Sequence, residues 1–271
     1  MPLTPFQREV ARLLGANRAP DSYLAGGAAL HLRPNSKRYS NDLDFFHDSE
    51  ERVAQAFAAD RDALERAGMK VEVKLAQPGF VRALVGRGKD GTKIEWAHDS
   101  AFRFMPPIRV PEAGYSLHPI DLAVHKTLTL AGREEVRDFL DVLFVHERVL
   151  PLGALIWAAV GKDPGFTPVS LLELIRRRGR YQAVDFERLH LAAPVEPTAI
   201  KGTWLAALEA AERFVRSRPP EEIGCLYYSP GARKFVAPGE GAPADAVPHF
   251  GRPGGVLPQV YAGDPLSSFD F

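Results

Sequence analysis

Two features of this sequence could do chemistry. One is the glycine pair Gly26-Gly27, and the other is Asp42 and Asp44 in the stretch Ser40-Asn41-Asp42-Leu43-Asp44-Phe45-Phe46. Acid, apolar, acid, apolar is the period of a strand, and side chains two apart on a strand share a face. Asp42 and Asp44 are therefore expected side by side, where each raises the other's pKa unless a cation compensates. Such oxygen ligands suit Mg²⁺, which takes one or two carboxylates and completes its sphere with substrate phosphates. Two glycines at a strand-to-helix junction let the backbone approach those phosphates, with the amides of the helix start directed at them. Taken singly, the glycines also read as a turn and the acids as a solvated strand face. Their combination, with Arg38 and Ser40 just ahead of the acids, points to a metal and phosphate site.

The elements that must position these residues follow from periodicity. Ser22-Tyr23-Leu24 reads as a short apolar strand entering the glycines, and Ala28, Ala29, Leu30 and Leu32 as a turn or two of buried helix. Upstream, Thr4-Pro5-Phe6-Gln7 has the form of a capping box with proline at the first helical position. Phe6, Val10, Leu13 and Leu14 give that helix one apolar stripe, with Gly15 as its stop. Asp48 with Glu51 resembles a second capping pair, opening a helix over 49–67 that Gly68 ends. The period then changes to two. Residues 69–75 alternate strictly, 80–85 are apolar, and a turn at 88–91 leads into 92–97, which predicts hairpin-linked strands in a mixed or antiparallel sheet. Glu95 lies in the last of these strands. It is expected either beside Asp42 and Asp44, completing a metal site, or as an edge charge facing water.

His118-Pro119 opens a helix to about Ala131, in which Lys126 sits among leucines as a candidate phosphate ligand. A second helix over 134–149 shows Val136, Phe139, Leu140, Leu143 and Phe144 as its core face. On it Asp138 and Asp141 are neighbours, as are Arg133 and Arg137, an arrangement compatible with surface ion pairs. Helices are further predicted over 152–160, 169–178 and 196–216. Arg176, Arg177, Arg178 and Arg180, beside Tyr181, form the strongest basic patch, readable as a helix end complementing its dipole or as an RNA contact. After Pro219-Pro220 the chain turns rich in proline and glycine, and a hairpin of 225–228 with 234–236 is expected, followed by an irregular tail partly ordered by Tyr227, Phe250 and Tyr261.

At 271 residues and 45% hydrophobic, the chain can bury one large core or two modest ones. Its 34 basic and 34 acidic residues cancel, so any attraction to nucleic acid must be local. The single cysteine, Cys225, excludes an internal disulfide and a thiolate zinc site. No membrane span or secretory signal is apparent, and a cytoplasmic protein is expected.

Gly26-Gly27, Arg38 and Ser40 before Asp42-Leu43-Asp44-Phe45, Lys126, and Arg137-Asp138-x-x-Asp141 together resemble the motif set of the nucleotidyl transferase AbiEii toxin family. That family is a branch of the DNA polymerase β-like nucleotidyltransferases. The resemblance spans about 22–149, with Gly-Gly standing where polymerase β-like enzymes commonly have Gly-Ser. It implies a minimal nucleotidyltransferase domain, and with the periodicities above an α+β chain is expected: that domain, with a mixed sheet flanked by helices, over 1–118, a helical domain over 119–218, and a Pro/Gly-rich C-terminal hairpin and tail over 219–271. It further implies Mg²⁺ on Asp42 and Asp44, with Glu95 fitting the third acid by local pattern. Gly26, Gly27, Arg38, Ser40 and Lys126 would contact the nucleotide, and Asp138 would be the late acidic residue. The implied activity is transfer of a nucleotide from an NTP to an RNA, in some members the 3′ end of tRNA, with a cognate antitoxin as partner. A small-molecule or protein hydroxyl as acceptor, or a non-catalytic nucleotide-binding member, are the alternatives.

Overall fold

The computed structural model describes residues 3–32, 40, 42–187, 189, 196–239 and 241–258. The first helix, α1 (Pro5–Gly15), begins at the Thr4 and Gln7 capping box and buries Phe6, Val10 and Leu14. It leads to β1 (Ser22–Ala25), the short helix α2 (Gly26–Leu30) and β2 (Asp42–His47). The long helix α3 (Glu50–Arg66) is capped by Ser49, which accepts the Arg52 amide hydrogen, and not by the predicted Asp48. The Asp48 carboxylate is drawn instead to the buried guanidinium of Arg103, at 2.6 and 2.8 Å.

Three antiparallel strands follow: β3 (Lys70–Gln77), β4 (Phe80–Arg87) and β5 (Asp90–His98). Short strands β6 (Phe102–Arg103), β7 (Ile108–Val110) and β8 (Gly114–Ser116), which the periodicity did not reveal, complete this part. The main sheet has seven strands in the order β3-β4-β5-β2-β1-β8-β7. It is mixed: β2 runs parallel to β5, and β1 parallel to β8, while β1 and β2 are antiparallel. The strict alternation of β3 does not give it a buried face, because it is the sheet's outer strand; Val73 and Leu75 remain 40% and 42% exposed.

The period of two sorts the central strands. Leu43, Phe45, Ile94 and Trp96 are fully buried on the side of α1 and α3, where Trp96 meets Phe57 edge to face. The intervening residues Asp42, Asp44, Lys93 and Glu95 fall on the opposite face.

The helices α4 (Pro119–Gly132), α5 (Val136–Arg148), α6 (Leu152–Lys162), α7 (Pro168–Arg178), α8 (Ala183–Glu187) and α9 (Pro197–Ser217) follow. In α5 the inward face is rotated from the predicted one: Asp138 and Asp141 are buried, whereas Val136, Leu140 and Phe144 are only partly covered. The two acids turn inward because cations inside receive them, as described below. As far as residue 258 the C-terminal stretch is more regular than the partly ordered tail expected, and Tyr261 lies outside the described residues. Strand β9 (Cys225–Ser229) takes β10 (Lys234–Val236) on one side and β11 (Val247–Phe250) on the other, and β12 (Arg252–Pro253) pairs with β6. The Val256 amide donates to the Phe104 carbonyl, and a His249 ring nitrogen lies 2.9 Å from it, which docks this segment onto the N-terminal half.

A buried ionic knot ties α3 to the sheet. Asp60 accepts both short bonds from Arg18 Nη2 at 2.6 Å, one from Asn17 and one from the Trp96 indole at 2.7 Å. Burial lowers the Arg18 pKa and raises that of Asp60, so the hydrogen bonds hold the pair against desolvation. Asp60→Ala is expected to cost about 3–5 kcal/mol in urea unfolding, because it strands a buried guanidinium. Arg18→Met with Asp60→Leu should recover most of that; a double variant as unstable as the single would remove the explanation.

A second buried carboxylate, Asp121 at the start of α4, accepts the amide hydrogens of Phe104 and Met105 at 2.7 and 2.9 Å. Burial pushes its pKa from 3.8 up to about 7. Over that interval the folded chain keeps a proton the unfolded chain has lost, so this stabilisation is complete at low pH and is lost as pH rises through about 7. The stability of the wild type minus that of Asp121→Asn should therefore fall between about pH 4 and 7 and level off above. A difference that grows with pH would contradict it.

Candidate functional site

The junction of β1, α2 and β2 sets the site. Ala25 pairs with Asp44 across the antiparallel strands, so Gly26, the next residue, lies against the Asp44 side chain. Gly26 has φ +63°, and a Cβ there would fall 2.0 Å from Asp44 Oδ2. Only glycine gives this carboxylate room. Asp42, two residues back, is on the same face, as its period requires. The Ser40 hydroxyl donates to the Asp42 carbonyl at 3.0 Å, while Gln7 holds the Ser40 carbonyl at 3.2 Å, so Ser40 here braces the strand.

Parallel pairing with β5 sets Asp44 beside Glu95 and Asp42 beside Lys93. Lys93 Nζ lies 2.9 Å from Asp42 Oδ2 and 2.8 Å from Glu95 Oε1, and Arg82 of β4 donates to the same Glu95 oxygen at 2.8 Å. Although partly desolvated, Lys93 has its pKa held above the ordinary value by Glu95 and Asp42. Asp44 is pushed from 3.8 up to about 7, first by burial, then by the charges of Asp42 and Glu95, against the pull of Lys126 and Lys93.

Lys126 reaches the site from α4. Its ammonium is 2.8 Å from Asp141 Oδ2 and 3.3 Å from Asp138 Oδ1, with the side chain 8% exposed. Asp138 also takes Arg133 Nε at 2.7 Å, and Asp141 takes the His31 ring at 2.9 Å. Lys126 and Arg133, with the His31 ring as a further hydrogen-bond partner, are the groups that turn α5's acids inward. The resulting cleft has a volume of about 230 Å³ and is lined by Gly26, Gly27, Asp42, Asp44, Glu95, Lys126 and Asp138, with Lys93, Arg82, Arg133 and Arg137 around them. Arg137 Nε is buried in it without a hydrogen-bond partner.

Of the residues singled out in the sequence, Ser40 stands behind Asp42 and the other described members of the glycine, acid and lysine set line this cleft. Arg38 lies outside the described residues. The arginine cluster does not line the cleft. Arg176, though exposed, is engaged by Glu212 at 2.8 Å and by Glu173, and Arg178 donates to the Ala131 carbonyl at 3.1 Å; Arg177 and Arg180 are exposed and make no ion pair among the described residues. Lys93 and Arg82 were not anticipated. Lys93 could have been, since it alternates with Glu95; Arg82 enters only through the pairing of β4 with β5, opposite Glu95.

No group of three or more histidine, cysteine or acidic side chains converges as a metal centre among the described residues. The donors present are carboxylate oxygens, and burial followed by their mutual repulsion lifts the Asp44 pKa; such a set fits a hard divalent cation sharing its sphere with phosphates. No helix among the described residues is long and apolar enough to cross a membrane.

Comparison with known proteins gives three findings. No curated protein matches the chain. Among solved structures it is similar to JHP933 from Helicobacter pylori, at 15% identity over 78% of this chain and 91% of that one, with TM-score 0.49. It is also similar to MenT4, a nucleotidyltransferase toxin from Mycobacterium tuberculosis H37Rv, at 16% identity over 80% and 83%, with TM-score 0.49. The third finding is a family match, to the description "Nucleotidyl transferase AbiEii toxin, Type IV TA system", over residues 11–178. That span runs from within α1 to the end of α7 and takes in every strand and helix that builds the cleft, and the chain belongs to the nucleotidyl transferase AbiEii toxin family.

Proposed function

We propose that this chain transfers a nucleotidyl group from an NTP to an RNA acceptor, the 3′ end of tRNA, with Mg²⁺ held by Asp42 and Asp44. The observation that carries this is the pair of carboxylates facing Lys126 across one small cleft, with Asp44 packed on the bare Cα of Gly26. A cognate antitoxin is the protein partner that family membership suggests.

In this reading the acceptor hydroxyl oxygen bonds to the α-phosphorus as the bond from that phosphorus to the β-bridging oxygen breaks. The bonding pair leaves with pyrophosphate, and the hydroxyl proton passes to a carboxylate of the Asp44 and Glu95 pair. A bound Mg²⁺ supplies neutralising charge across the phosphates and eases loss of the hydroxyl proton. Lys126 is a fixed positive charge for the triphosphate, and Asp138 acts through it, by holding its ammonium in place. Gly26 and Gly27 let the phosphates approach the backbone. Arg177 and Arg180, exposed at the end of α7 and just beyond it, are the part of the basic cluster open to RNA.

The direct test is incubation with each labelled NTP, Mg²⁺ and total RNA. Asp44→Asn should abolish incorporation with the circular dichroism spectrum unchanged, and incorporation at the wild-type rate would sink the mechanism. Label appearing on protein or small molecules but never on RNA would reassign the acceptor.

Gly26→Ala should lower transfer by at least about a hundredfold, because the new methyl group displaces Asp44. Gly68→Ala is its control: the same left-handed backbone, φ +74°, with nothing within 4 Å, so it carries strain alone and should keep transfer. Replacing Arg177 and Arg180 by alanine should weaken RNA binding and flatten its salt dependence by about one unit of slope per lost phosphate contact. An unchanged slope would place the RNA elsewhere.

A further inference from the structure

Two lysines enter the cleft, and they are held very differently. Lys126 is enclosed, its ammonium shared by Asp138 and Asp141 inside the α4 and α5 pair. Lys93 stands at the mouth, its side chain 31% exposed, and its ammonium bridges carboxylates of two different strands: Asp42 on β2 and Glu95 on its own β5. That bridge is where the sheet needs charge most. Parallel pairing forces Asp42, Asp44 and Glu95 onto one face of adjacent strands, and like charges at that spacing repel. Arg82 relieves only Glu95. The ammonium also holds Asp42, one of the carboxylates a divalent cation would need, and lysine's flexible stem lets it leave.

We infer that Lys93 is a resident counter-ion: in the metal-free protein its ammonium, between Asp42 and Glu95, occupies one of the two carboxylates that would hold the cation, and it gives up Asp42 when a divalent ion binds. The inference rests on the reading of Asp42 and Asp44 as the metal-holding pair. Lys93 is a positioning residue that keeps the acids assembled before loading and competes with the ion for them. Metal affinity is thereby lowered in the absence of nucleotide, and the displaced ammonium is freed in a cleft into which the triphosphate brings negative charge.

The test is Mn²⁺ titration of the full chain without nucleotide, following free Mn²⁺ by electron paramagnetic resonance. Lys93→Met should bind Mn²⁺ roughly fivefold tighter than wild type, and Lys93→Arg, which keeps a cation there, should restore the weaker binding. Arg82→Met removes one charge from Glu95 without touching Asp42, and should change the affinity by less than about twofold. In chelator, Lys93→Met should melt below wild type, with Mn²⁺ closing the gap; Lys93→Gln replaces it if the methionine variant does not fold. Equal tightening by Lys93→Met and Arg82→Met, or no tightening by Lys93→Met, overturns the inference while wild-type metal binding stands. If instead Asp44→Asn binds Mn²⁺ as well as wild type, it is the functional reading that fails.

Discussion

Carboxylates on neighbouring strands repel, and the arrangement of this cleft is the protein's answer to that repulsion. Asp42, Asp44 and Glu95 share one sheet face because β2 runs parallel to β5 in a register that sets Asp44 beside Glu95. Nothing apolar could hold them there. Lys93 and Arg82 compensate them from within the sheet, and Lys126 adds its field from α4. Asp44 is nonetheless lifted to about 7, first by burial and then by Asp42 and Glu95. A bound cation would favour its ionised form.

The helices fix Lys126 at this site. Lys126 alone on α4 would lie half-desolvated among leucines. Asp138 and Asp141, one helical turn apart on α5, enclose its ammonium, and His31 and Arg133 occupy their remaining oxygens. His31 is the residue on which α2 ends, so the helix that begins at Gly26 is tied at its other end to the same network. The glycine backbone of α2, the lysine and the acids of α5 thus form one connected unit. A change in any of them is felt at the others, since buried ionic groups tolerate few alternative arrangements.

Much of the scaffold was legible because local periodicity reports burial wherever one face of an element is covered. The Thr4 and Gln7 box, the period-two run of Asp42 to Phe46 and the hairpins of β3 to β5 carry their own signals. The failures share a cause. Asp48 has the neighbours of a helix cap, but it answers to Arg103, 55 residues away. The α5 face was read from its apolar residues, while two carboxylates on it were claimed by His31 and Lys126. The C-terminal stretch has the composition of a linker, yet β11 and the segment after it are held by backbone bonds to β9 and to Phe104. Backbone hydrogen bonding of this kind leaves no mark in side-chain pattern.

By itself, then, the chain's order of residues determined that two acids would share a face, that a bare backbone would precede them, and that a lysine would sit on the inner side of a later helix. Each of these follows from a repeat of 2 or 3.6 residues, which short stretches carry within themselves. Tertiary structure decided which charges meet: Asp44 with Gly26, Lys93 with both Asp42 and Glu95, Lys126 with the α5 acids. Those encounters depend on strand order and register between segments far apart in the chain, and electrostatic energy depends on distance, which periodicity does not encode.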